Sequence, residues 1–271
     1  MTELGADAIP AIAALGRRAL LDPPSPTELH RSLTAPDQPA VVRGEPTRGV
    51  VATVIGAGGG YVRFIAVHPD HRGQGLGRAL LGAAEDQLRA AGASTITIGA
   101  DAPHYLWAGI DTRELAMVCL AERLRYSRVG VNLNMDIDLT HLERDPGGWR
   151  VADASDRESV DGWAEQHWPG WRSELLRACD QNSLVVADDR EGIAAVCAHD
   201  VTRAGLVGPV AVRRDLVGRG VGTTPLLGAL HRMRASGRTH AEISWVGPVV
   251  PYARVGATIG RSLLVYRKDL A

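Results

Sequence analysis

The sequence predicts an α/β protein built from two tandem domains, because one stretch of the chain occurs twice. Residues 64–81 read FIAVHPDHRGQGLGRALL: an apolar run, a turn with a proline, three glycines at alternate positions and an apolar helical pattern. The same order returns 145 residues downstream as VGPVAVRRDLVGRGVGTTPLL. A chain of 271 residues fits two domains that can each bury a core. The repeat therefore predicts one domain over residues 1–144 and a second over 145–271.

The elements of the first domain follow from hydrophobic periodicity and turn signals. The run DPPSP separates the first two helices, GAGGG marks a turn between strands, and Gly92 closes the helix behind the repeated loop. The predicted order is helices at 6–21 and 26–34, strands at 40–44, 49–56 and 61–68, a helix from 76 to Gly92, a strand at 94–99, a helix at 112–125 and a strand at 129–139.

The second domain repeats this order after a linker at 140–148, which reads THLERDPGG. The predicted elements are a strand at 149–152, helices from 155 and after 169, strands at 184–188, 193–200 and 206–212, a helix up to 235, a strand at 241–246, a short helix at 249–255 and a strand at 258–269. Such an order does not fit a simple doubly wound parallel sheet.

A second pair of matching segments predicts an insertion in the first domain. MDIDL at 135–139 corresponds to YRKDL at 266–270, with an offset of 131 instead of 145. The difference places a fourteen-residue insertion around DAPHYLWAGID in the first domain. Its aromatic residues Tyr105 and Trp107 either line a pocket or plug one.

The repeated loop has the chemistry of a phosphate-binding site. Its glycines let successive N–H groups converge, and the following helix adds its positive N-terminal end. A nucleoside triphosphatase would need Lys-Ser or Lys-Thr after the last glycine, where Arg78-Ala79 and Thr223-Thr224 stand. A dinucleotide-binding loop would need a third glycine at Leu80. The residues thus indicate a phosphate site of another kind.

The segment RGQGLG at 72–77 resembles the R/Q-x-x-G-x-G/A loop of the GNAT superfamily of N-acetyltransferases, and the two copies resemble actinobacterial tandem GNAT proteins. The resemblance implies two acyl-CoA N-acyltransferase folds, each a mixed, mostly antiparallel sheet flanked by helices, with acetyl-CoA as donor. The implied donor-binding residues are Ala66, Val67, Arg72, Gly73, Gln74, Gly75, Leu76, Gly77 and Arg78, then Ala211, Val212, Val217, Gly218, Arg219, Gly220, Val221, Gly222 and Thr223. Because Val217 replaces the arginine, we expect the first loop to bind coenzyme A more tightly.

The same resemblance implies a catalytic acid in the second domain. Many members carry a tyrosine in the segment (F)Y-x-x-x-G-F that protonates the leaving thiolate, and PYARVGA places Tyr252 there. The first domain has Ala121 at that position and Tyr126 at the phenylalanine position, so the second domain is expected to be catalytic. An ordinary packing role at the helix start is the alternative for Tyr252.

A general base is harder to identify, because neither strand before the loop contains a carboxylate. Glu242 is the predicted base and Asp200 a second candidate, although either could be an ordinary strand or turn carboxylate. A partly neutral amine would need no base. The tryptophans Trp163, Trp168 and Trp171 lie where the fold borders its acceptor cleft, and they either recognise the acceptor or pack the core.

Composition limits the remaining possibilities. A formal net charge of −1 and 23% charged residues imply neither a nucleic-acid nor a membrane partner, and there is no apolar run of eighteen residues. The three cysteines form no C-x-x-C pair, and the histidines have no ligand spacing, so no metal is expected. We expect a cytoplasmic monomer or homodimer that acetylates a small-molecule amine. The alternatives are a non-catalytic acyl-CoA sensor and a peptide or protein acetyltransferase.

Overall fold

The computed structural model describes residues 1–270, which form two compact units. The first unit consists of residues 1–132 together with 262–270, and the second of residues 133–261. The predicted domains differ from these units at their last strands, since residues 133–144 lie in the second unit and residues 262–270 in the first.

Helices and strands are numbered in chain order. The helices are α1 (Ile9–Ala19), α2 (Pro26–Leu33), α3 (Leu76–Ala90), α4 (Leu115–Arg123), α5 (Arg157–His167), α6 (Arg172–Asp180), α7 (Thr223–Ala235) and α8 (Val249–Ala253). The strands are β1 (Val41–Glu45), β2 (Gly49–Gly56), β3 (Gly59–Val67), β4 (Thr95–Ile98), β5 (Ile110–Asp111), β6 (Ser127–Asp138), β7 (Arg150–Val151), β8 (Leu184–Asp189), β9 (Gly192–His199), β10 (Leu206–Val212), β11 (His240–Ile243) and β12 (Thr258–Asp269). None of the helices within residues 1–270 is long and apolar enough to cross a bilayer.

The sheet of the first unit has the order β1-β2-β3-β4-β12, with β5 paired to β12. Only β3 and β4 run parallel, and every other pair is antiparallel, which confirms the predicted mixed, mostly antiparallel sheet. Strand side chains alternate between two cores. Helices α3 and α4 cover one face around Leu80 and Leu88, and α1 and α2 cover the other around Ile12 and Leu29.

The second unit repeats this arrangement with the order β6-β11-β10-β9-β8-β7. Strands β10 and β11 are its parallel pair, and the others are antiparallel. Helices α7 and α8 cover one face, where Leu230 and Met233 are buried, and α5 and α6 cover the other, where Val160 and Leu175 are buried. Each unit therefore places the predicted loop between its central parallel strand and the helix that follows.

The last strands of the two units are exchanged relative to the predicted order. Tyr266 of β12 pairs with Ile98 in the first unit, whereas Met135 of β6 pairs with Ile243 in the second. The prediction that residues 129–139 complete the first unit is therefore wrong for residues 133–138. Strands β6 and β12 carry corresponding segments, MDIDL and YRKDL, with the same alternation of side chains. Either strand could therefore pair with the sheet of either unit, and the sequence does not show which one it joins.

The inserted segment of the first unit packs inward. Leu106 is buried in the core under α1 and α2, and the Trp107 ring stacks on Phe64 with 6.3 Å between ring centroids. Trp107 Nε1 also donates to an Asp22 carboxylate oxygen at 3.4 Å. The sequence left two alternatives for the aromatic residues of this segment, which were to line a pocket or to plug one. The Trp107 side chain fills space beside β3, which agrees with the second alternative for this residue.

Candidate functional site

The parallel strands of each unit stop pairing at a β-bulge. In the first unit Gly99 N donates to Val62 O at 2.9 Å, and the β2–β3 register then skips Arg63. In the second unit Ser244 N donates to Val207 O at 3.2 Å, and the β9–β10 register shifts directly after Val207. Beyond the bulge, β3 and β10 continue toward the loop, and no strand within residues 1–270 pairs with them on that side. Each unit thus has an open strand edge that leads to its glycine loop.

The first two glycines of the two loops have the same backbone conformation. Gly73 and Gly75 have φ angles of 74° and 84°, and the equivalent Gly218 and Gly220 have 84° and 80°. Side chains rarely adopt this left-handed region, which explains two of the three glycines. The third glycine lets helices α3 and α4 approach each other closely, because a Cβ on Gly77 would lie 2.9 Å from Leu120 Cδ2.

Unpaired amides line both loops. Within residues 1–270, the N–H groups of residues 73–78 have no intramolecular acceptor, and they precede or open α3. In the second loop Arg219 N and Thr223 N donate to Leu216 O and Gly220 O, which leaves the amides of Gly218 and of residues 220–222 without one. Converging N–H groups at a helix start fit the oxygens of a pyrophosphate. Both loops therefore fit the implied donor, and the first offers more amides.

Arg72 has a different environment from the one predicted. Its guanidinium donates to Ala19 O at 2.6 Å and to Val67 O at 3.3 Å, so it ties the loop to the end of α1. Its contact with phosphate stays a prediction. Val217, at the same position in the second loop, is 56% exposed. The Ala66 and Ala211 side chains are buried in the cores, which leaves only their backbones to contact a donor.

Tyr252 lies in α8 and packs against the core of the second unit beside Cys197. Within the described residues its hydroxyl has no hydrogen-bond partner. Burial, together with the nearby Cys197 thiol, raises the pKa of Tyr252 to about 12. The phenol therefore keeps its proton at neutral pH and has it free to give, as a general acid requires.

The first unit has no equivalent acid. Ala121 is buried at the corresponding position in α4, and Tyr126 donates its hydroxyl to Glu85 Oε1 at 2.9 Å. Lys268 Nζ also binds Glu85 at 2.9 Å. The Tyr126 proton is thus held in a structural network, as expected for a packing residue.

Glu242 is bound by two partners. Arg261 donates Nε to Oε1 at 2.8 Å and Nη2 to Oε2 at 2.6 Å, while Asn134 Nδ2 donates to Oε1 at 2.5 Å. A general base needs a carboxylate oxygen free to accept a proton, and three donors already occupy the two oxygens of Glu242. These contacts favour a positioning role over the predicted role as base. Asp200 is similarly engaged, because Gly205 N and Arg238 Nη2 both bind its Oδ1.

We expect Glu242→Gln to separate the two roles. If Glu242 positions other groups, the loss of its ion pair with Arg261 should raise the KM for the acceptor several-fold and leave kcat within about threefold. A general base would instead show a fall in kcat of about 10²-fold or more with little change in KM. Steady-state kinetics with acceptor varied at saturating donor distinguish these outcomes, and Glu85→Gln in the first unit is the matched control.

The tryptophans near the second loop mainly contact one another. Trp168 stacks on Trp171 with 4.6 Å between centroids, and the Arg214 guanidinium lies 3.8 Å from the Trp168 ring. Trp168 Nε1 donates to Val212 O at 2.7 Å, and Trp163 is buried. Both faces of Trp168 are therefore occupied, which supports the packing alternative for this residue.

Sequence reasoning missed Glu174, a buried carboxylate on the first turn of α6. Among residues 1–270 no group donates a hydrogen bond to it, whereas Glu28, at the same turn of α2, accepts the Ser25 N–H at 2.6 Å in a capping box. Burial raises the pKa of Glu174 to about 7, against the opposing charge of Arg177. The signal that could have revealed Glu174 lies at the N-cap of α6, where Trp171 stands in place of a capping serine and so offers the glutamate no capping box.

Glu174 should make stability fall as pH rises. Well below pH 4.5 the carboxyl is protonated in both the folded and the unfolded state, so its ionisation makes no contribution to stability there. Above that pH the unfolded state ionises first, so folding loses about 3 kcal/mol by pH 7. We expect Glu174→Gln to have a higher free energy of unfolding than the parent at pH 8 and an equal one at pH 4.5. Urea denaturation of both proteins at each pH measures this, and a constant difference would contradict it.

A buried side chain occupies the bulge of the first unit. Arg63, the bulge residue, has a fully buried side chain that donates to Ser32 O at 2.6 Å and Gln38 O at 3.0 Å. It also binds the Gln38 side chain and the buried Asp101 carboxylate. Ser32 lies in α2, Gln38 in the connection 34–40 and Asp101 in the inserted segment. A guanidinium of the chain itself thus occupies this bulge of the first unit.

The second unit has no side chain at the equivalent position of its bulge. Gly208 stands at the position of Arg63, with φ of 132°, and a Cβ there would meet a single atom, Ser244 O at 3.9 Å. The connection between α6 and β8 is only residues 181–183, and β11 leads to α8 through residues 244–248. Open space at Gly208 therefore lies next to the point where β10 and β11 separate. Among residues 1–270, no group of three or more His, Cys, Asp or Glu side chains could hold a metal ion.

Comparisons with known proteins agree with this geometry. The Acetyltransferase (GNAT) family profile matches residues 22–106, which lie in the first unit. The mycothiol acetyltransferase of Corynebacterium glutamicum (strain R) is 30% identical over 223 residues, which cover 75% of this chain and 74% of that protein.

Solved structures share the fold across both units. A tandem GNAT protein from the clavulanic acid biosynthesis pathway has a TM-score of 0.71 at 17% identity and covers 100% of this chain and 98% of its own. The GCN5-related glucosamine N-acetyltransferase region of a fungal multi-domain GH3 β-N-acetylglucosaminidase has a TM-score of 0.78 at 19% identity; it covers 98% of this chain, which spans 38% of that protein. With two glycine loops on separated parallel strands and a 30% identical acetyltransferase aligned over three quarters of its length, the chain belongs to the GNAT family of acetyltransferases.

Proposed function

We propose that the second unit transfers an acetyl group from acetyl-CoA to a primary amine of a small molecule, and that the first unit binds the donor or serves a structural role. One observation carries the assignment to the second unit. The bulge of the first unit bears the buried, four-fold bonded Arg63, whereas the bulge of the second bears Gly208 with open space beside it. An acceptor amine can approach only an unfilled bulge.

The chemistry follows from the groups around this opening. The neutral amine nitrogen attacks the thioester carbonyl and forms the new carbon–nitrogen bond, the carbon–sulfur bond breaks, and the Tyr252 hydroxyl gives its proton to the departing sulfur. The proton that the nitrogen loses returns to the Tyr252 oxygen, so the products are the amide, the free thiol and the original phenol. Because burial raises the pKa of Tyr252 to about 12, the phenol is protonated at neutral pH and has a proton to give to the sulfur.

The family match lies in the first unit, yet the proposal places turnover in the second. These statements are compatible, because the matched residues 22–106 contain the loop at 72–77, which concerns donor binding. Transfer also needs an acid and an open acceptor face. The first unit has Ala121 and Arg63 at those positions, and the second has Tyr252 and Gly208.

The proposed acceptor class rests on the relatives. Both aligned relatives are named mycothiol acetyltransferases, which supports a small-molecule amine over a peptide or protein. A non-catalytic acyl-CoA sensor is the second candidate, and one observation favours it: the carboxylates predicted as bases, Glu242 and Asp200, are both bound by arginine.

A thiol-release assay tests the proposal. The full chain is incubated with acetyl-CoA and either a panel of small primary amines or a set of short peptides, and free thiol is measured together with acetylated product. We expect amine-dependent thiol release, with a control lacking amine to correct for hydrolysis. Donor binding by calorimetry with no release for any amine would support the sensor instead. Release with peptides alone would support the peptide acetyltransferase.

A further inference from the structure

Trp245 has an unusual backbone conformation at the edge of the open face. It follows β11 directly, has a φ of 51°, and is 37% exposed. A bulky residue in the left-handed region is a conformational outlier that persists only when surrounding structure enforces it. Such outliers concentrate at ligand-binding sites.

A relay of buried polar side chains enforces this conformation. Trp245 N donates to Asn134 Oδ1 at 2.9 Å, and Asn134 Nδ2 donates to Glu242 Oε1 at 2.5 Å. Arg261 binds the same carboxylate through two nitrogens. Asn134 is only 2% exposed, and the Arg261 and Glu242 side chains are 12% and 17% exposed. The ion pair thus orients an amide that in turn fixes the backbone of Trp245.

The position of Trp245 relative to the bulge is set by its neighbour. Ser244 makes the last backbone bond between β11 and β10, to Val207, and its carbonyl oxygen is the nearest atom to a Cβ on Gly208. Trp245 is therefore the first residue past the point at which the two strands separate, beside the open acceptor face.

The first unit allows a comparison, because its bulge is filled by the buried Arg63 and its residue equivalent to Trp245 can be identified. Ala100 stands at the equivalent place with φ of 58°, and its N–H donates to Trp107 O at 3.0 Å within the inserted segment. There the chain covers its own bulge, and the residue is small. In the second unit the covering segment is absent, and a side-chain relay instead presents an exposed indole.

We propose that Trp245 is an acceptor-binding residue whose indole packs against a ring carried next to the acceptor amine, and that Asn134, Glu242 and Arg261 are its positioning residues. This rests on the proposed function of the second unit. A rigid aromatic surface gains most from a flat apolar partner and adds little for a short linear amine. The acceptor class is therefore a ring-bearing primary amine.

Ligand-observed NMR in the presence of coenzyme A tests this with three probes: cyclohexylmethylamine, 2-phenylethylamine and propylamine. We expect the two ring-bearing amines to bind the parent protein and to bind Trp245→Ala about tenfold more weakly. Trp245→Phe should retain most of the affinity, and propylamine should not distinguish the variants. Equal binding of the ring-bearing amines to parent and Trp245→Ala, or no binding to the parent, overturns the proposal.

Two further variants separate the ring from the backbone. Trp245→Gly removes the indole without strain, so it should be more stable to heat than Trp245→Ala and equally weak in binding. Asn134→Ala should weaken binding of the ring-bearing amines without affecting affinity for coenzyme A; unchanged amine binding would contradict the relay. The NMR experiment measures binding without turnover, so it decides the role of Trp245 independently of the reaction. Absence of thiol release in the activity assay would overturn the proposed reaction alone.

Discussion

Replacing Tyr252 with phenylalanine is expected to lower kcat for acetyl transfer by about 10²- to 10⁴-fold, the usual contribution of a general acid. The ring and its packing against the core remain, and the hydroxyl has no hydrogen-bond partner to lose within the described residues, so folding should be nearly unchanged. Donor affinity should also change little, because the proton is needed only as the carbon–sulfur bond breaks.

Tyr126→Phe is the matched control in the first unit. It deletes a hydroxyl that donates to Glu85, so it should cost about 0.5 to 1.5 kcal/mol of stability and leave kcat unchanged. Steady-state kinetics and thermal denaturation of both variants provide the measurements. Equal kcat in Tyr252→Phe and the parent would leave the second unit as a binding module, and Tyr105 in the inserted segment would become the next candidate acid.

Gly220→Asp is expected to raise the KM for acetyl-CoA by about 10²-fold or more, whereas Gly75→Asp should leave turnover within a few-fold of the parent. Nothing lies within 4 Å of a Cβ at either position, and aspartate tolerates the left-handed region better than most residues. The fold should therefore survive while the new carboxylate faces the phosphates, where like charges cost several kcal/mol.

Calorimetry with coenzyme A assigns the two loops. We expect the tighter site to persist in Gly220→Asp and to disappear in Gly75→Asp, because the first loop has more unpaired amides. Gly220→Asn, equal in size and neutral, is the control for charge and should bind more tightly than Gly220→Asp. Loss of turnover in Gly75→Asp alone would move catalysis to the first unit.

The loops could be predicted because their function depends on local backbone chemistry. The alternate glycines predict positions with a left-handed backbone, and the structure has this conformation at Gly73, Gly75, Gly218 and Gly220. The order of helices and strands could also be predicted, since each element has its own periodicity. A local pattern is sufficient wherever the determining interactions are local.

Non-local partners explain what could not be predicted. From the sequence, Glu242 is expected to be a strand carboxylate without a partner. In the structure it forms an ion pair with Arg261, nineteen positions away, and accepts a hydrogen bond from Asn134 on another strand. Arg63 reads as an ordinary strand residue, and only the fold brings Gln38 and Asp101 around it. The role of Trp245 depends on a backbone angle that no periodicity encodes.

Residues 266–269 complete the sheet of the first unit, although they are the last part of that sheet to be synthesised. While the chain emerges from a ribosome, β4 lacks its neighbour, and an unpaired strand edge attracts other chains. The second unit has all of its strands as soon as residue 261 has emerged. The half of the protein that is translated first can therefore complete its sheet only after the other half has been synthesised.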